Sequence, residues 1–136
     1  MSDPISWGRA PSLEDFAALA ERAFAALPDG FRRLAGEVVF RIDDFPPDDV
    51  LDDLGIEDAF GLTGLYSGVS LAERSSFGPE AGPSRVFLYR RPILDEWAER
   101  GEVTLEELVT HVLVHEIGHH FGLSDAQIDA IEAAAE

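Results

Sequence analysis

The stretch TLEELVTHVLVHEIGHHFGLSD, residues 104–125, constrains this chain more than any other. Thr104 and Glu107 form the reciprocal pattern in which two side chains satisfy the free N–H groups at a helix start, so the spacing predicts a helix opening at Thr104. Leu105, Leu108, Val109 and Val112 make its apolar stripe at the 3.6-residue period, and the next positions of that stripe are His115, Glu116 and His119. A stripe patterned for burial thus turns into imidazoles and a carboxylate. Leu113, Val114 and Ile117 make further faces apolar, so the helix is expected to be buried on most sides. Gly122 follows as a C-terminal cap. Ser124 and Gln127 then repeat the capping pattern for a last helix.

Residues four apart in a helix are separated by roughly 6 Å of rise and about 40° of turn. His115 and His119 therefore project to one side and can grip one ion. Glu116, adjacent on the same arc, can reach a water bound to that ion. Two imidazoles that hold zinc and a carboxylate that handles protons are the logic of H-E-x-x-H. Such a zinc takes a third protein ligand and keeps its fourth position open. The longer pattern H-E-x-x-H-x-x-G-x-x-D offers Asp125, with Gly122 permitting a left-handed turn back toward the metal. Asp129 and Glu132 compete from the last helix, and a glutamate ligand there would give a gluzincin-like arrangement. Asp125 also suits the helix dipole as the first residue after the Ser124 cap, a role compatible with ligation. His111, one turn before His115, is read as a packing residue or a support to the ligands. His120 points about 100° away from His119 and is read as a packing or hydrogen-bonding neighbour.

The rest of the chain supplies a small α+β context. Residues 12–27 read as a helix capped by Ser12, 37–43 as a strand, and the acidic run that follows as a loop with a short helix near Val50. That run lacks the D-x-D-x-D-G spacing of a calcium loop. Residues 62–70 and 85–90 read as strands, 72–84 as a Gly/Pro/Ser loop, and Pro92 as the opening of a short helix. The length of 136 residues predicts one domain over 1–136, with residues 1–11 an extended segment. A formal charge of −17 disfavours nucleic acid and anionic membrane surfaces as partners. The absence of cysteine removes thiolate chemistry and disulfides. The first residues show no basic and apolar leader pattern, so the expected location is cytoplasmic.

The segments ALPDGF, VVFRIDDFPP, GLYSGVSLAERSSFG, RVFLYRRPIL and VLVHEIGHHFGLSD resemble the bacterial mini-zincins, a zincin-like metallopeptidase family, over roughly residues 13–131. The resemblance implies a minimal zincin: an α+β fold with a short mixed sheet beside the active-site helix, and flanking helices. It places zinc-ligand roles on His115, His119 and Asp125 and the general base on Glu116, with one zinc per chain and a peptide or protein substrate. The larger metzincins set a methionine turn below the metal and usually use a third histidine, whereas the only methionine here is Met1.

Two other functions compete with peptide hydrolysis. One is a non-catalytic, zinc-stabilised interaction or regulatory module, for which Glu116 has no evident use. The other is a metal-dependent endoribonuclease, whose pattern needs histidine where this chain has Asp125. For a peptidase, a sheet edge is expected to receive the substrate as an added strand, and both 62–70 and 85–90 are candidates for that edge. Arg85, Arg90 and Arg91 are candidate substrate contacts, against the simpler role of balancing acidic surface. Tyr66 and Tyr89 are the candidate hydroxyls for an oxyanion.

Overall fold

The computed structural model describes residues 10–67 and 84–135. In chain order these form α1 (Leu13–Ala25), α2 (Asp29–Ala35), β1 (Val38–Asp43), α3 (Asp48–Leu54), a 3-10 turn (Ala59–Gly61), β2 (Gly64–Ser67), β3 (Ser84–Tyr89), α4 (Arg90–Arg100), α5 (Leu105–His120) and α6 (Asp125–Ala134). Six helices with a small mixed sheet make an α+β fold, as the sequence implies. Most of the loop read at 72–84 lies outside the described residues, as does most of the extended segment read at 1–11, while Ser84 at the end of that loop reading opens β3 instead.

The sheet order is β1-β3-β2. β1 runs parallel to β3, from Val38 opposite Ser84 to Asp43 opposite Tyr89. β2 runs antiparallel to it, from Gly64 opposite Leu88 to Ser67 opposite Arg85. β3 is therefore the central strand, which corrects the reading of 85–90 as a candidate edge. Its backbone groups are taken up on both sides, and its buried Val86 and Leu88 suit that position. The helix after it also begins earlier than Pro92 suggests. Tyr89 is the cap and Arg90 the first residue, with Pro92 inside the first turn, where helix N–H groups lack partners anyway.

α5 is the central helix. Half of its 16 residues are buried, including Leu108, Val109, Leu113, Val114 and Ile117. Each such side chain contributes about 1.5–3 kcal/mol when fully buried, which outweighs the weak helix preference of its valines. Phe16, Leu19, Ala20 and Ala23 of α1, Val86 and Leu88 of β3, and Ile128 of α6 belong to the same core. β2 and α6 both lie against α5. Among the described residues, no helix is long and apolar enough to cross a membrane.

Candidate metal centre

Local chemistry sets both ends of α5. At its start, Glu107 N–H donates to Thr104 Oγ1 at 3.0 Å and Thr104 N–H donates to Glu107 Oε1 at 3.1 Å. At its end, Gly122 takes a φ of +73°, the left-handed region that costs glycine least. Leu123 N–H then donates to Gly118 C=O at 2.9 Å and Gly122 N–H to His119 C=O at 3.1 Å, the paired bonds of a Schellman closure. The reversed chain enters α6 through the Ser124 cap, whose Oγ accepts from Gln127 N–H at 3.1 Å. Gly118 decides how closely α6 approaches. A Cβ there would stand 2.8 Å from Cγ1 of the fully buried Ile128.

That approach lays α6 carboxylates beside a ladder of imidazoles. His111, His115 and His119 follow one another along α5, with ring centroids 4.0 Å apart for the first pair and 5.6 Å for the second. At the inner end, His111 Nδ1 donates to Glu132 Oε1 at 2.7 Å, and the same oxygen lies 3.5 Å from His115 Nε2. Donor atoms of His111, His115 and Glu132 all fall within 4.8 Å of one another, the one such group of three among the described residues. At the outer end, His119 Nε2 lies 3.8 Å from Asp125 Oδ1. Two ligands on a tetrahedral zinc with bonds of about 2.0–2.1 Å stand roughly 3.3 Å apart. The 3.5 Å and 3.8 Å pairs are within about half an ångström of that spacing, and the hydrogen-bonded 2.7 Å pair would open by about 0.6 Å to reach it.

His115 stands between the two ends, its ring 5.6 Å from that of His119. Its Nε2 is sealed from solvent, and Glu132 Oε1 at 3.5 Å is not in hydrogen-bond contact with it, so the nitrogen has no hydrogen-bond partner. A buried polar atom left this way costs free energy that a metal ion would offset, and the surrounding nitrogen and oxygen donors suit zinc. Burial pushes the His115 pKa down, and neighbouring His111 adds to this against the opposing effect of Glu132. The ring is thus held in the unprotonated form that a metal requires. Burial pushes the Glu116 carboxyl up, with His119 partly opposing. Tyr89 is raised by burial and then by Asp43, Asp49 and Glu116.

The motif residues His115, Glu116 and His119 share one arc of α5, and Asp125 stands beside His119. Asp129 is exposed on α6. His111 departs from a purely packing role, because it is bonded to Glu132 and is one of the three clustered donors. His120 packs, with its ring 4.4 Å from that of Tyr66. The Tyr66 hydroxyl donates to Ser84 Oγ at 2.7 Å, a buried bond between neighbouring strands. Arg90 binds the Pro11 carbonyl at 2.6 Å and Asp44 at 3.0 Å, and Arg91 lies over the Phe45 ring. These contacts give both arginines structural employment. Gly118 is the contributor that sequence reasoning passed over, and Glu132, weighed there only as a competing ligand to the motif histidines, is found bonded to His111. The available signal was Ile128: an α6 that buries Ile128 against α5 presents Glu132, four residues on, along the same face.

A family model described as zincin-like metallopeptidase matches residues 35–135, which run from the end of α2 through α6. Among solved structures, a conserved hypothetical protein from Thermo thermophilus is similar in fold, with a TM-score of 0.50 at 22% identity over 81% of this chain and 94% of that one. No curated protein matches the chain.

Proposed function

This chain belongs to the zincin-like metallopeptidase family, and on that premise we propose that it is a zinc-dependent peptidase, with one zinc per chain held by His115, His119 and Asp125 and with Glu116 as general base. The observation that carries this reading is the setting of Glu116. Its carboxyl is half-buried on the ligand face of α5, and burial raises its affinity for a proton. A general base works best when that affinity approaches the operating pH, whereas a metal site that only braces the fold has no need of one. When bound, zinc supplies a Lewis acid that polarises a carbonyl and brings the pKa of water to about 7. Glu116 takes the proton of the attacking water and delivers it to the departing amine. His115 and His119 orient the centre from two successive turns of one rigid helix.

The substrate in this reading is an extended peptide or protein segment. β2 is the edge that would receive it. It lies beside α5 and, among the described residues, has a strand neighbour on one side alone. An added strand would gain main-chain hydrogen bonds there.

The test is digestion of a proteome-derived peptide library by zinc-loaded protein and by Glu116→Gln. Cleavage by the parent should fall by at least about 100-fold in the variant, the scale of general-base catalysis, while zinc stays near about one per chain. Undiminished cleavage by Glu116→Gln would remove the base assignment. No cleavage by the fully zinc-loaded parent would favour the zinc-stabilised interaction module instead.

A further inference from the structure

The inner end of the ligand face holds a complete set of donors that the H-E-x-x-H pattern does not call for. His111 Nδ1, His115 Nε2 and Glu132 Oε1 supply two nitrogens and one oxygen, with the carboxylate oxygen 2.7 Å from the first nitrogen and 3.5 Å from the second. The three side chains are all partly buried. Their donors come from two helices locked together at Gly118 and Ile128, so the set is assembled before any ion arrives. His111 and Glu132 also line a cleft of about 300 Å³ between α1, α5 and the end of α6, bounded further by Ala23, Leu108 and Ala135. His115, His119 and Asp125 are absent from its walls, so the cleft opens onto His111 and Glu132, with the buried His115 Nε2 behind them. An ion can therefore approach these two donors from a side of their own.

We propose that His111, His115 and Glu132 form a second divalent-metal position, which takes zinc or a similar nitrogen- and oxygen-seeking ion in alternation with the position at His119 and Asp125. Both positions draw on His115, and one Nε2 lone pair serves one ion at a time. Occupation is therefore exclusive, and an ion at the inner position is withdrawn from His119 and Asp125. The proton on His111 Nδ1 moves to its Nε2 through solvent when the ion takes Nδ1. Glu132 exchanges that hydrogen bond for a metal bond. The proposal rests on the peptidase reading only for the existence of the outer position.

Cobalt(II) titration of chelator-stripped protein tests this, because its visible absorption reports four-coordinate nitrogen and oxygen donors. The parent should saturate at about one ion per chain. His119→Ala, which breaks the outer pair, should still bind cobalt. Adding His111→Ala or Glu132→Gln to it should weaken binding by at least tenfold, the lower end of what even a residue supporting a ligand costs. Asp125→Ala, at an exposed position, serves as the outer-position variant if His119→Ala does not fold. The proposal is overturned if the folded outer-position variants bind no cobalt, if their binding ignores Glu132→Gln, or if the parent takes two ions together. Zinc affinity unchanged by both His119→Ala and Asp125→Ala would support the inner position and instead remove the ligand set proposed for hydrolysis.

Discussion

Along the ligand face of α5, the end at His111 and the end at His119 each pair an imidazole with a carboxylate from α6, in opposite surroundings. The His111 and Glu132 side chains are 33% and 28% exposed, and their polar atoms meet at 2.7 Å. The His119 and Asp125 side chains are 57% and 93% exposed, and theirs stand 3.8 Å apart. The inner pair is closed by a hydrogen bond and partly shielded from water. The outer pair is screened by solvent, so little beyond a bound ion would draw it together. The inner end is thus the tighter and more shielded of the two, and the outer end the more open to solvent. His115 stands between them, and in the proposal above its partnerless nitrogen is where the two positions compete.

The largest effect should come from removing what the ends share. His115→Ala leaves an imidazole–carboxylate pair at each end but no three-donor set, and zinc measured by elemental analysis should fall from about one per chain to well under half. Unchanged zinc would break the comparison outright. Next in size is the contrast between carboxylates. Asp125→Ala should weaken zinc by at least tenfold, and Glu132→Ala in an otherwise intact chain should change it little, because the outer set remains. The reverse result, read by competition against a chelating dye, would make the site gluzincin-like.

A third effect acts on both ends together. Gly118→Ala places a methyl 2.8 Å from Ile128 Cγ1, and overpacking of this kind costs about 1–3 kcal/mol. The better helix propensity of alanine returns up to about 1 kcal/mol. A net loss should lower Tm by a few degrees and weaken zinc, since Asp125 and Glu132 ride on the same displaced helix. A higher Tm with unchanged zinc would show that α6 does not set the spacing at either end.

The smallest effect is on the stability of metal-free protein. Folding raises the Glu116 pKa above its ordinary value, so the folded state binds the proton more tightly than the unfolded chain. The resulting penalty is absent below the ordinary carboxylate pKa and grows as pH rises through the raised folded value. Glu116→Gln removes it. The variant should melt higher than the parent at neutral pH and no higher near about pH 3, well below the ordinary carboxylate value, where both states are protonated. An equal Tm difference at both pH values would mean that the carboxylate's charge is not what burial penalises.

Much of this arrangement follows from local chemistry and was legible in the sequence. The capping pairs Ser12–Asp15, Thr104–Glu107 and Ser124–Gln127 all form as their spacing requires. The period of α5 carries its core stripe into His115, Glu116 and His119, and Gly122 turns the chain. These features depend on residues within about four positions of one another, where helix geometry leaves little choice. The central place of β3 was not legible, because 85–90 looks the same as an edge or as a middle strand until its neighbours are known. The pairing of Glu132 with His111, 21 positions away, was decided by tertiary structure alone. It depends on how far the Gly122 turn swings α6 and how closely Gly118 lets Ile128 approach. Helical spacing determines which side chains share a face, but packing between helices determines which of them meet.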